Sequence, residues 1–558
     1  MEGRRYSWLL CPASMPPMPD TRWWPQSTCY QIYVRSFADS DGDGVGDLAG
    51  VTSRLPYLAE LGVDAVWLTP FYSSPQADHG YDVSDYCDVD PLFGTLADFD
   101  ALLTQAHGLA LKVMVDIVPN HSSDEHVWFK AALAAAPGSR ERARYLFRDG
   151  RGAGGAEPPN NWQSSFGGPA WTRVPDGQWY LHLFDSGQPD FDWTNPEVGD
   201  EFERVLRFWL DRGVDGFRID VAHGMVKADG LPDLTAEQLA AEGGELLETL
   251  GEAARPFWDQ PGTHDIYRRW HSVLADYDGD RMAIAEAWVG DAEAMARYLR
   301  PDELQQAFNF HWLMAPWSAQ ALREVVEHTF RATRPVGAWP TWVLSNHDVV
   351  RAASRLGDGA VGPARARAGL LVMLALPGST YLYQGEELGL PQVDVAPEDR
   401  QDPEFRNGRG VGRDGCRVPL PWTTADDGTA HGFSPPGAAN PWLPQPAGWG
   451  QWSAQAQEGD ASSTLAFVRT ALRLRREMLD SLSDEVQLHA VDDDDALVIR
   501  REGSTGAGGL VCVLSCGATA VTLAPLGLDA ADVLIATSAD AVADAALQPN
   551  TAAWFTVR

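Results

Sequence analysis

Seven ionisable side chains stand where apolar, β-rich runs give way to polar residues: Asp116 and His121, Arg218 and Asp220, Glu286, and His347 with Asp348. Carboxylates at several such places, with no zinc-type spacing and no phosphate-cradling motif beside them, point to acid–base chemistry. Paired carboxylates without a redox cofactor suit glycoside hydrolysis, where one is nucleophile or base and the other is acid. Arg218 precedes Asp220 by two residues, so on a strand both side chains share a face. Its charge is expected to keep Asp220 ionised. Glu286 is followed by Ala287 and Trp288, and partial burial there is expected to raise its carboxyl toward that of a general acid. Asp348 adds a negative group for sugar hydroxyls or for positive charge developing at an anomeric carbon. Asp116 reads as the partner that holds Arg218 at this mouth.

These groups need a scaffold that brings their runs together. The runs are Cys29 to Phe37, Ala65 to Pro70, Lys112 to His121, Gly216 to Val221, Ala283 to Trp288, Ala307 to Leu313, Thr341 to Asp348 and Ser379 to Glu387. Each is mostly apolar on both faces, as strands of a covered parallel sheet should be. Helical segments such as DFDALLTQAHGLAL and EFERVLRFWLDRG lie between them. Eight β/α units predict an α/β fold, a (β/α)8 TIM barrel over residues 22–120 and 188–480, with catalytic groups at the C-terminal strand ends. Residues 121–187, rich in Gly, Pro, Trp and Asn, are too long for a βα loop and predict an inserted domain after strand 3. Residues 388–451 read as a long loop after strand 8. Short alternating strands over 481–558 predict a C-terminal all-β sandwich domain.

Composition narrows the function further. The 558 residues carry 43 Lys plus Arg against 78 Asp plus Glu, a net charge of −35, and the only lysines are Lys112, Lys130 and Lys227. That field disfavours nucleic acid and polybasic membrane attachment and admits neutral small molecules. No run of about 20 apolar residues is present to span a bilayer. The six cysteines lack metal-site spacing and read as free or buried thiols. Residues 1–21 read as a disordered leader, with Met15 or Met18 as an alternative start. A cytoplasmic enzyme, monomeric or homodimeric, is expected.

The motifs make the resemblance specific. DIVPNH (Asp116 to His121), GFRID (Gly216 to Asp220), AEAW (Ala285 to Trp288) and SNHD (Ser345 to Asp348) resemble, in order and spacing, the four signature regions of the α-amylase superfamily of glycoside hydrolases. The runs QIYVRSFADSDGDGVGDLAG, ADHGYDVSDY, NNWQSSFGG, YLYQGEELG and RDGCRVPLPW resemble its exo-acting α-glucosidase and oligo-1,6-glucosidase branch. The resemblance implies a retaining double displacement with Asp220 as nucleophile, Glu286 as acid/base and Asp348 as transition-state stabiliser. It further implies that Asp78, Tyr81, His121, Arg218, His347 and Arg413 line the subsite of the non-reducing glucose. Tyr81 would stack on the ring, and Asp78 and Arg413 would close the pocket. Phe166 and Gln188 are candidates for its wall, and Arg351 for the adjoining sugar site.

Asp39, Asp41, Asp43 and Asp47 stand at alternate positions around Gly44, like the first half of an EF-hand loop whose twelfth position is Gly50 instead of Glu. The resemblance implies one structural Ca²⁺ or Mg²⁺ there, with the Val45 carbonyl as a further ligand. Short α-glucosides are the expected substrates. A transglucosylase or a sucrose-type isomerase using the same intermediate is the alternative within enzymes, and a non-catalytic transporter subunit is the alternative outside them.

Overall fold

The computed structural model describes residues 8–10, 22–240, 255–479, 481–490, 495–503 and 508–557. Eight short parallel strands form its central sheet: β1 (Thr28–Ile32), β2 (Ala65–Leu68), β3 (Lys112–Ile117), β4 (Gly216–Ile219), β5 (Met282–Ala285), β6 (Gln306–Ala307), β7 (Thr341–Val343) and β8 (Ser379–Tyr383). They pair in the order β6-β5-β4-β3-β2-β1-β8-β7, so the sheet curls into a barrel whose β6–β7 seam alone lacks a ladder among the described residues.

Alternation along each strand divides two cores. Val66, Leu68, Val113, Val115, Phe217 and Ile219 point outward into the layer shared with the helices. Cys29, Ala65, Met114, Met282, Ile284, Val343 and Tyr381 fill the barrel itself. Side chains two residues further on share that inward face, so Gln31, Trp67, Asp116, Arg218 and Glu286 stand in the layers above, at the C-terminal mouth. The barrel's geometry, not local propensity, gathers them.

The helices follow from local signals. Pro196–Arg212 begins at Asn195, whose side chain accepts from the Glu197 N–H, and ends at Gly213 with φ 104°. Between these caps Val198, Phe202, Val205, Leu206 and Trp209 form the buried face. The apolar run from Ala307 to Leu313 divides differently from expectation. Only Gln306–Ala307 is strand, because Asn309 caps a helical turn over Phe310–Met314 by accepting from Trp312 N.

The excursion after β3 carries a small antiparallel sheet of Phe147–Asp149, Gln178–Leu181 and Trp171–Arg173. Leu146, Trp162, Trp171 and Leu181 pack there with Leu231, Leu234 and Phe257 from the segment after β4. At the other end lie β9 (Gln487–Ala490), β10 (Ala496–Arg501), β11 (Gly509–Ser515), β12 (Val533–Ala536) and β13 (Ala552–Val557), facing a smaller three-stranded sheet. Their shared core includes Val498, Val513, Leu523, Leu547 and Phe555. The helix Val361–Ala375 joins this unit to the barrel, with Trp554 Nε1 donating to Leu371 O at 3.1 Å. Most of the expected leader lies outside the described residues. The backbone of Trp8–Leu10, however, pairs antiparallel with Gln487–His489, so that part of it is a strand and not a disordered tail.

Candidate active site

Arg218 organises one side of the barrel mouth. Its Nη1 donates to Asp116 Oδ1 at 2.8 Å and to Asp220 Oδ1 at 2.6 Å, while its Nη2 lies 2.8 Å from Glu286 Oε2. Asp116 Oδ2 accepts from Trp67 Nε1 and Tyr81 Oη, both at 3.2 Å. Glu286 accepts from Val221 N at 2.9 Å and from Trp288 Nε1 at 3.1 Å. The Val221 contact depends on an unusual backbone: this β-branched residue has φ 44° directly after Asp220. Strain of that kind persists only where its surroundings over-determine it, and here it aims a backbone N–H at the second carboxylate.

Three buried carboxylates on one guanidinium leave an excess of negative charge. Burial, reinforced by Glu286 and opposed by Arg218, pushes the Asp116 carboxyl up to about 7. Asp220 is raised well above its ordinary value by burial first, opposed by Arg218 and reinforced by Glu286 and Asp116. The expectation that Arg218 keeps Asp220 ionised meets an opposing effect, because its charge is divided among three acids. Asp116 and Asp220 are both pushed toward the protonated form, because burial and mutual repulsion act against a single arginine.

The opposite side has more cations. Arg413 Nη1 and Arg417 Nη2 lie 3.2 and 2.9 Å from Asp348 Oδ1. Burial by itself would raise Asp348, but the surrounding His347, Arg413 and Arg417 outweigh it and hold the carboxyl below its usual range. His347 Nδ1 accepts from Gln31 Nε2 at 2.6 Å, which leaves its Nε2 toward Tyr81 Oη at 2.7 Å and Asp348 Oδ2 at 3.3 Å. Burial, opposed by Asp348 and reinforced by the nearby arginines, lowers the pKa of this imidazole well below its ordinary value. The Tyr81 ring is nearly parallel to His347, with centroids 5.4 Å apart, and Arg218 lies over its face at 5.7 Å.

Arg413 also reaches Asp78 Oδ1 at 2.9 Å. Gln188 Nε2 joins Asp78 Oδ2 at 3.2 Å to His121 Nε2 at 3.1 Å. Burial, against Arg413 and Arg417, raises Asp78 to about 7, and burial lowers His121 to about 4. Phe166 lies under Arg413 at 5.1 Å and meets Phe184, which in turn contacts His121. Asp78, His121, Phe166, Gln188 and Arg413 thus form one continuous wall.

Arg351 stands apart from this set. It is buried, donates to Gln384 O and Cys416 O at 2.9 Å each, and covers the Tyr383 ring. Those contacts commit its guanidinium to bracing the end of β8 against the segment that carries Arg413 and Arg417.

Three contributors were missed. Arg417 lies four residues after Arg413 on the same short helical turn, a spacing that would have found it. Asp402 accepts from Arg413 Nε at 2.7 Å and Arg417 Nη1 at 3.4 Å but carries no motif. Lys227 Nζ meets Asp190 Oδ2 and Asn120 Oδ1 at 2.7 Å each, tying the segment after β4 to both ends of the insertion. Its rarity in this chain was the available signal.

In the acidic loop, ligand atoms of Asp39, Asp41 and Asp43 lie within 4.8 Å of one another. Asp43 is raised by burial and by its acidic neighbours. The oxygen-only donor set fits a hard divalent cation. Asp47 is placed otherwise: its oxygens accept from Ser40 N, Ser40 Oγ and Gly50 N, capping the helix Leu48–Leu61. No helix among the described residues is long and apolar enough to cross a membrane.

The family model described as alpha amylase, catalytic domain, matches residues 31–485. The probable alpha-glucosidase of Rhizobium meliloti (strain 1021) is 40% identical over 482 residues, 82% of this chain and 83% of that protein. The oligo-1,6-glucosidase of Parageobacillus thermoglucosidasius is 35% identical over 493 residues, 82% and 84% of the two chains. Among solved structures, the alpha-glucosyl transfer enzyme XgtA superposes with a TM-score of 0.83 at 37% identity, covering 97% of this chain and 100% of that one. The chain therefore belongs to the alpha-amylase family of glycoside hydrolases, in its α-glucosidase and oligo-1,6-glucosidase branch.

Proposed function

We propose that this enzyme is a retaining exo-α-glucosidase that releases α-glucose from the non-reducing end of short α-glucosides such as maltose, isomaltose and sucrose. The observation that carries this reading is the holding of Asp220 and Glu286 by the two terminal nitrogens of one arginine at the barrel mouth. In the first step Asp220 attacks the anomeric carbon while Glu286 gives its proton to the departing glycosidic oxygen. A β-glucosyl ester forms on Asp220 and the aglycone leaves as an alcohol. Glu286, now ionised, takes a proton from water as that water attacks the anomeric carbon and breaks its bond to the Asp220 carboxylate oxygen. Asp220 is released and glucose departs as the α-anomer. Asp348, ionised beside two arginines, offsets positive charge on the sugar ring in both steps. The wall from Asp78 to Arg413 would end the pocket after one glucose, which supports exo-action.

Transfer to a second sugar is the companion reading, favoured by the likeness to XgtA. It uses the same ester, with an acceptor hydroxyl in place of water. In the acidic loop Asp39, Asp41 and Asp43 would hold a structural Ca²⁺ or Mg²⁺, which would neutralise their mutual repulsion and fix the loop. The free thiols Cys29, Cys87, Cys416, Cys512 and Cys516 suit a cytoplasmic setting.

The test is a time course with maltose, isomaltose, sucrose and trehalose at low and high concentration, resolving the anomers. Initial release of α-glucose at low concentration supports the proposal. Initial β-glucose would replace retention with inversion. Isomeric or larger sugars at every concentration would make the enzyme a transferase or isomerase.

A further inference from the structure

The segment after β8 forms a closed strap across the pocket wall. Asp402 and Arg413 stand at its two ends and pair there at 2.7 Å. Between them Gly408, Gly410 and Gly412 adopt φ of 77°, 74° and 72°, and a Cβ at Gly408 or Gly410 would meet nothing within 4 Å. Backbone hydrogen bonds close the turn as far as Arg409, whose N–H donates to Glu404 O at 2.8 Å, while the left-handed glycines beyond it, with open space around Gly410, do less to fix the path to Arg413. Its polar anchors to the rest of the wall are arginines. Arg409 Nη1 donates to Ser165 O at 2.7 Å and Ser164 O at 3.3 Å in the inserted domain. Arg406 Nη2 donates to Ala77 O at 2.8 Å, next to Asp78. Phe166, adjacent to those serines, is the ring beneath Arg413.

We infer that Arg409 is a latch that determines exo-specificity: by fastening the strap to the inserted domain it holds Arg413 over Asp78 and Phe166 and keeps the pocket closed beyond the terminal glucose. The inference rests on the proposed exo-α-glucosidase activity. Arg413 touches the pocket wall, whereas Arg409 acts through it as a positioning residue. A released strap lets the Arg413–Asp78 contact open, and the closed end of the pocket becomes a cleft that admits a further sugar.

The experiment compares wild type, Arg409→Ala and Arg409→Lys on maltose and on a p-nitrophenyl maltooligosaccharide whose non-reducing end is blocked by an ethylidene acetal. In Arg409→Ala the KM for maltose is expected to rise about tenfold, the equivalent of one charge-assisted hydrogen bond, with kcat falling by less. Hydrolysis of the blocked substrate, absent in wild type, is expected to appear. Arg409→Lys keeps one donor and is expected to fall between. Hydrogen exchange at residues 407–412 should quicken in Arg409→Ala while Ser379–Tyr383 stays protected, which separates latch loss from general unfolding. Wild-type KM, no action on the blocked substrate and unchanged exchange in both variants would overturn the latch alone. A wild type inactive on maltose would remove the activity on which the inference rests.

Discussion

Asp220 and Asp348 face each other across the same barrel mouth, both largely buried, yet their carboxyls move in opposite directions. Burial raises both. The difference is the supply of cations: Arg218 serves Asp116, Asp220 and Glu286 together, while Asp348 draws on Arg413 and Arg417 with His347 beside it. One side is arranged to keep a proton and the other to keep a charge. A double displacement needs both, since a proton must shuttle through one group while a fixed negative charge faces the sugar ring. Neither property belongs to the aspartate itself; each follows from how many guanidinium groups the fold supplies.

The largest effect tests the nucleophile. Asp220→Asn is expected to lower kcat by roughly 10⁴-fold or more while leaving circular dichroism unchanged. Appreciable residual turnover would move the nucleophile elsewhere. Arg218→Gln attacks the proton-keeping side by removing its cation. Native stability should fall by about 3–5 kcal/mol, more at pH 8 than at pH 5, because protonation at lower pH relieves the three acids. A pH-independent loss in denaturant titrations would contradict the raising of Asp116 and Asp220 by burial.

On the charge-keeping side, Arg417→Gln leaves Asp348 with Arg413. The expected result is a kcat reduced about 10- to 100-fold and an acidic limb of the pH profile displaced upward, since Asp348 then protonates more easily. An unmoved limb would show that Arg417 only supports the chain.

The raised carboxyls set a pH window for stability. Asp78 and Asp116 hold protons in the native state up to about pH 7, whereas the unfolded chain loses them near pH 4. Between those values the native state binds more protons, so their contribution is full at low pH and is lost as pH rises toward 7, by at most about 1.4 kcal/mol per unit for each group. Asp78→Asn should flatten that slope in melts from pH 4.5 to 7.5, and an unchanged slope would place the proton elsewhere. The smallest effect concerns the acidic loop. A chelator is expected to lower the melting temperature by a few degrees with kcat unchanged on readdition of the metal, and no shift would leave Asp39, Asp41 and Asp43 as a solvated turn.

Legibility in the sequence followed the range of the interactions. The strand runs were readable because burial on both faces demands apolar residues at successive positions. Their ends were not, since Val118 through His121 and Ala287 with Trp288 are also apolar or buried without belonging to a ladder. Phe310 to Met314 looked like strand until Asn309 supplied a cap. Arg351 looked like a ligand for sugar because it follows SNHD, and only packing shows its nitrogens on the Gln384 and Cys416 carbonyls.

By itself the sequence determined the eight-fold β/α rhythm, the positions where insertions leave it, and the acids at the strand mouths, because period-two burial and motif spacing are local properties of the chain. Tertiary structure alone decided which carboxyls are raised and which is lowered, which arginines share the charge, and that Asp402 braces the wall. Those outcomes depend on distances between residues as far apart as Asp78 and Arg413, and electrostatic free energy is set by distance and burial, which no local pattern encodes.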